Sequence, residues 1–208
     1  MSTPSSNLPT APAEPSPRRR LDPAERAAAV RRAARELALR EGLHALSLRS
    51  VARAAGVTGP LVAHYVPSMD DLVADTFAEI AGGELEQLRT DLTGLAPGLA
   101  LDRLLAGLVD HDRADVTGIW VDAWSLGRRN EVLAAAVRQQ MDDWQHWVAT
   151  IVSDGVADGS FSTDDPELAA AGIVGMIDGV NAHALVRYRT PAERGVTLRR
   201  AIDAAVGR

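Results

Sequence analysis

Residues 42–77 read GLHALSLRSVARAAGVTGPLVAHYVPSMDDLVADTF, and the fold is decided in this stretch. Ser47 stands where a short helix begins and runs through Ala55, its hydroxyl placed to take up a backbone N–H that the first turn leaves unpaired. Gly56-Val57 makes a tight turn, and Thr58 caps a third short helix through about Val66. Val51, Ala52, Ala55, Val57 and Val62 sit where they lock the two helices together, the small alanines allowing close approach. Pro67-Ser68 breaks the chain and restarts it, because Ser68 can cap a fourth helix with Asp70 and Asp71 in its first turn. This is helix–turn–helix logic, a pattern that many helical hairpins share.

The pattern extends both ways. Upstream, Asp22-Pro23 is a cap followed by a first-turn proline, and Val30, Ala34, Leu37 and Ala38 fall at helical spacing before Gly42 stops the helix. Downstream, Gly94 to Gly98 is a break, and Leu101, Leu104, Leu105 and Leu108 form an apolar stripe. Trp120 and Trp124 lie one turn apart. Leu133, Val137, Met141, Trp144, Val148 and Ile151 mark a long helix, and Gly155 to Asp165 is a turn-rich link. Two further helices follow, Pro166 to about Tyr188 and Pro191 to Val206. No strand-like alternation of useful length occurs. The expected fold is all-α with about nine helices: a Pro-rich, Arg-ended arm over 1–20, a three-helix unit over 21–67 and a larger helical unit over 68–208.

Composition narrows the function. The chain has 208 residues and a net charge of −6, but the charge is unevenly spread. Residues 1–66 carry ten arginines against five acids, whereas residues 67–208 carry twelve against 23. A basic N-terminal third on an acidic body points to a polyanion at one end. With no cysteine there is no disulfide, thiolate metal site or cysteine nucleophile. Neither a nucleophile elbow, a phosphate loop nor a dinucleotide fingerprint occurs. His111 and Asp115, one turn apart, make only a weak metal pair. Neither catalysis, cofactor nor metal is expected. The longest uncharged apolar run, Leu168 to Ile177, is about half of the roughly 20 residues that a membrane helix needs. The first 17 residues lack an apolar signal core. A cytoplasmic protein without membrane contact is the expectation.

Read together, Ala-Ala-Gly-Val-Thr at 54–58, His64-Tyr65, Pro67-Ser68 and the acidic-Leu run after it resemble the DNA-binding domain of the tetracycline-repressor (TetR) family. The resemblance runs without a gap from helix one into helix four. It implies an all-helical homodimer that represses transcription at a double-stranded operator until a small molecule binds its C-terminal domain. It places Thr58, Gly59, Pro60, Leu61 and His64 on the exposed face of a recognition helix, with Tyr65 as a phosphate contact and Ser47 and Arg49 meeting the backbone from the preceding helix. Thr58 and His64 can bond base edge or phosphate, and Leu61 can touch a thymine methyl. Two positions depart from the family pattern: Ala63 stands where an aromatic is usual and Met69 where a lysine is usual. Both losses remove backbone affinity, for which the arginines at 18–20 are a candidate replacement.

From Trp120 to Asn181 the chain resembles the C-terminal domain of the choline-sensing betaine-biosynthesis repressor subclass. The matching residues are Trp120, Trp124, Trp144, Gly155, Gly159, Phe161 and Asp178-Gly179. That subclass holds regulators of many ligands, so the effector stays unidentified. Trp120, Trp124, Trp144, Asp178 and Asn181 are the candidate effector contacts, and a tryptophan box with a carboxylate, Asp122 or Asp178, would suit a cation. Core filling by the indoles and a flat apolar ligand remain open alternatives. Gly172, Gly175 and Gly179 recur along one helix, which predicts close helix packing. The family pairs its last two helices across a dimer. The competing reading is a helical small-molecule-binding or scaffold dimer with weak or lost operator affinity, motivated by Ala63 and Met69.

Overall fold

The computed structural model describes residues 22–109 and 114–208. The arm over 1–20 and His111 lie outside the described residues. Those residues form nine α-helices and no strand: α1 (Pro23–Glu41), α2 (Leu48–Ala54), α3 (Gly59–Tyr65), α4 (Met69–Leu92), α5 (Pro97–Val109), α6 (Ala114–Gly127), α7 (Glu131–Ala157), α8 (Pro166–Leu185) and α9 (Pro191–Val206). A 3-10 turn, Leu43–Ala45, joins α1 to α2.

Local chemistry explains most of the boundaries. Asp22 and Glu25 satisfy each other's backbone N–H groups in a reciprocal cap, with Pro23 at the first helical position. Ser47 and Ser50 do the same for α2, and Thr190 and Glu193 for α9. Ser68, Asn130 and Asp165 each accept one N–H at the starts of α4, α7 and α8. Thr58 departs from expectation. It holds the cap position of α3, but its side chain makes no capping bond, so its hydroxyl is left to other partners.

Two apolar cores are threaded by α4 and α7. The first joins Val30, Leu37 and Leu43 to Val51, Val62 and Val66, and continues into Phe77 and Ile80 of α4, Ile119 and Ala123 of α6, and Leu133 and Val137 of α7. The second gathers the α5 leucine stripe, Trp144 and Val148 of α7, Ile173 and Ile177 of α8, and Leu198 and Ile202 of α9. Each buried leucine of that stripe stabilises the fold by about 2 kcal/mol. Trp120 packs against both cores, so α6 joins them.

Two details differ from the sequence reading. Gly155 lies inside α7 rather than in a link, because the Phe161 ring occupies the space where its Cβ would be. The helix beginning at Pro166 stops at Leu185, earlier than Tyr188. Gly172, Gly175 and Gly179 are exposed, and no atom stands within 4 Å of a Cβ built on any of them. The close approach expected of them is not made within the described residues of one protomer, which leaves them open for the second copy to which the resemblance assigns it. In addition, α8 is long and apolar enough to cross a membrane by length and composition, at a mean hydropathy of 1.4. Counting uncharged runs missed this because Glu167 and Asp178 interrupt the helix. Its Ala169, Ile173 and Ile177 face packs into the second core.

Candidate functional site

One candidate surface is the exposed side of α2 and α3. Val51 and Val62 are fully buried between them, which fixes α3 against α2 and turns the opposite side outward. Arg49, Thr58, Pro60 and His64 are exposed, Gly59 and Leu61 half-buried. The His64 ring stands edge-on to Tyr65 with centroids 4.9 Å apart, so the two residues present one aromatic edge. Ser47 is exposed, but its hydroxyl is engaged at the cap, accepting from the Ser50 N–H at 3.2 Å. Between the helices lies an open hollow lined by Arg49, Arg53, Gly59, Pro60 and Ala63. Met69 packs against the first core and not toward the surface. Arg53, one turn after Arg49, was overlooked in the sequence, although i,i+4 spacing on an exposed helix face puts the two guanidiniums side by side.

The second candidate is a cavity of about 540 Å³, mouth included, enclosed by α4 to α8. Trp120, Trp144, Asp178 and Asn181 all line it. Trp124 does not: it stacks at 5.9 Å on Trp120 and packs with the first core. Asp122 is also elsewhere, its carboxylate 3.0 Å from Nδ1 of His44 on the 3-10 turn. At 100° per residue, a side chain two positions from Trp120 points to the far side of α6. Phe77 holds the Trp120 indole edge-on at 5.0 Å, which fixes one wall of the cavity.

The polar residues of the cavity are two acids, Glu84 and Asp178, with Thr117 and Asn181. Burial lifts the Asp178 carboxyl to about 6, and the neighbouring charge of Glu84 adds to the shift. Glu84, which the sequence reading missed, interrupts the buried α4 stripe between Ile80 and Leu88, and that acid on an apolar face was the available signal. Trp144 is 7% exposed and its indole N–H has no hydrogen-bond partner. Two indoles, two carboxylates and an unpaired donor can hold a cation that also carries an acceptor oxygen. Among the described residues, no group of three or more His, Asp and Glu side chains is placed to hold a metal ion.

Comparison with known proteins bears on both surfaces. Residues 30–76 match the bacterial regulatory proteins of the tetR family, and residues 100–207 match the C-terminal domain of BetI-type transcriptional repressors. The HTH-type transcriptional regulator BetI of Vibrio parahaemolyticus is 27% identical over 150 residues, which is 68% of this chain and 71% of that protein. A transcriptional regulator of Saccharomonospora viridis, solved in complex with choline, superposes with a TM-score of 0.77 at 19% identity, over 86% of this chain and 96% of that one. A TetR-family regulator from Rhodococcus sp. gives 0.74 at 19% identity over 88% and 99%. At such identities the solved structures share the fold.

Proposed function

Because this chain belongs to the TetR family of bacterial transcriptional regulators, with a BetI-type C-terminal domain, we propose that it is a homodimeric repressor released from its operator by a small organic cation. The observation that carries the effector half is the cavity itself: Trp120 and Trp144 beside Asp178 and Glu84. A cation there gains the ring faces and a carboxylate in a partly dry site. The unpaired Trp144 N–H favours a cation bearing a hydroxyl or carbonyl oxygen. The Saccharomonospora viridis relative was solved with choline, which has both features, and choline is the probe of choice for this cavity.

Residues 21–67 are the DNA-reading unit on this reading, and residues 68–208 the effector and dimer unit. Thr58, Gly59, Pro60, Leu61 and His64 meet base edges and phosphates in the major groove, with Ser47, Arg49 and Tyr65 on the backbone. Dimerisation falls to α8 and α9. Only 28% of the α8 apolar window is buried in the protomer, the three open glycines lie on it, and Leu168 and Val196 are exposed at 70% and 55%. A second copy seated there would use the close approach that glycine permits. Two recognition helices then address successive major grooves, roughly 34 Å apart, of a pseudo-palindromic operator. Release requires the effector to bind the DNA-competent and released states with different affinity. α6 is placed for that, with Thr117 and Trp120 at the cavity and Asp122 at the head.

The test is selection of bound sequences from a random duplex library, repeated with His64→Ala and with choline present. The expected result is a palindrome that the variant fails to enrich and that choline depletes. Absence of any enriched site at low salt would sink the repressor reading. It would favour instead a helical dimer whose open hollow at Ala63 marks lost operator affinity.

A further inference from the structure

We propose that the corner between α8 and α9 is a second binding site, for a small molecule bearing a phosphate group, held by Arg187, Arg189 and Arg194. It stands apart from the operator and effector readings and neither supports nor needs them.

The corner concentrates positive charge in a way the fold does not require. Arg194, one turn into α9, is 4% exposed. A guanidinium carries five N–H donors, yet the hydrogen bond Arg194 makes is from one Nη to the Arg189 carbonyl, at 2.8 Å. Its Nε is buried without a partner, and no carboxylate among the described residues forms an ion pair with it. A buried arginine left without an anion is costly, because desolvation is uncompensated. Arg187 and Arg189 line the same open concavity, together with Thr190 and the Ala184 end of α8.

The backbone adds a second observation. Arg187 and Arg189 have φ of 59° and 62°, left-handed conformations that favour glycine or asparagine. The two arginines therefore stand where turn chemistry alone would select another residue. Local bonds hold the conformation: the Arg187 N–H donates to the Ala184 carbonyl at 2.9 Å and the Tyr188 N–H to the His183 carbonyl at 3.1 Å. Arg189 lies over the Tyr188 ring at 5.4 Å, which keeps its guanidinium at the corner.

Among the described residues one carboxylate faces the site, that of Glu193, and it is already engaged. It accepts from the Thr190 N–H at 2.8 Å and the Thr190 hydroxyl at 2.9 Å in the α9 cap. Three guanidiniums against one committed carboxylate leave an excess of positive charge. A tie between Arg194 and the Arg189 carbonyl accounts for one donor and for neither exposed arginine. A phosphate group, with close to two charges and three terminal oxygens, matches three planar donor forks better than a single carboxylate does.

Arg194→Ala risks the fold, so the informative variant is the double substitution Arg187→Gly with Arg189→Gly, which relieves both left-handed positions and retains Arg194. Thermal unfolding of the full chain is followed in increasing inorganic phosphate, with sodium chloride and sodium acetate controls at matched ionic strength and pH 7.5, and binding is measured by calorimetry. The expected result is a saturable rise in melting temperature specific to phosphate, with binding at least tenfold weaker in the double-glycine variant. No rise beyond chloride, an equal rise with acetate, or an undiminished phosphate response in the variant would each overturn the site.

Discussion

On the proposed reading, Asp178 ties effector binding to pH, and the size of the effect follows from its surroundings. Burial first, and the charge of Glu84 second, hold its carboxyl at about 6 instead of 3.8. A cation seated against Asp178 needs the ionised form, so protons compete with it. At pH 5, one unit below the folded-state value, only about a tenth of Asp178 is ionised and the apparent affinity falls roughly tenfold, or about 1.4 kcal/mol. Above pH 7 the affinity is level. Stability runs the other way. The folded state holds this proton more tightly than the unfolded chain, so the contribution is fully present below 3.8 and is lost as pH rises through 6. The loss at pH 8 is about 3 kcal/mol from the size of the shift. Asp178→Asn keeps the shape and removes the ionisation. It should be more stable than the wild type at pH 8, equal to it below pH 4, and bind choline weakly with no pH dependence. Calorimetric titration with choline between pH 4.5 and 8, in two buffers of different protonation enthalpy, reads both the affinity and the proton released on binding. Urea unfolding over the same range reads stability. A flat affinity profile, or an Asn variant no more stable at pH 8, would refute the reasoning.

Trp144→Phe removes a buried donor that has no partner while keeping the ring, so folding stability should hold or rise while choline affinity drops by about 1 kcal/mol, roughly fivefold, in the same titration. Arg49→Ala and Arg53→Ala should each weaken operator binding similarly across sequences, and each should lower the slope of log affinity against log salt by about one, measured by fluorescence anisotropy. Gly155→Ala forces the Phe161 ring out of its seat and should cost about 1–3 kcal/mol in urea unfolding, with operator selectivity unchanged.

The helices were legible where the chain carries its own punctuation. Asp22-Pro23, Ser47, Ser68 and the Thr190–Glu193 pair act locally, through bonds spanning three residues, so a reader of sequence meets all the participants at once. Gly155 misled because its cause lies in tertiary packing: it is a helix residue kept small by the Phe161 ring, and locally it looks like a breaker. The tryptophans show the same division. Helical spacing put Trp120 and Trp124 on one face, but not where the cavity ends along that face, and the boundary falls between them. Choosing between Asp122 and Asp178 needed the position of the head, which claims Asp122 through His44. Glu84 lies outside the stretch from Trp120 to Asn181 that carried the resemblance, so nothing in the sequence tied it to Trp120 and Asp178. The arginine corner was invisible for a simpler reason: neither left-handed φ nor burial is written in an arginine codon run, and Arg187, Arg189 and Arg194 look like ordinary solvated surface.

Gly42 sits where α1 ends, at φ 89°, and a Cβ there would stand 2.5 Å from the Asp122 carboxylate and 2.7 Å from the His44 ring. The joint between head and body is tight at this point: even a single methyl group would force the Asp122 and His44 side chains to move. α6 bears on that joint from one side and on the cavity from the other. On the proposed reading, a small displacement of α6 reaches the head through this contact. On the same reading, a methyl added at residue 42 would act as a shim between α6 and the head with the cavity still empty. Such a chain would respond less to an effector, being biased toward the released state before one is bound.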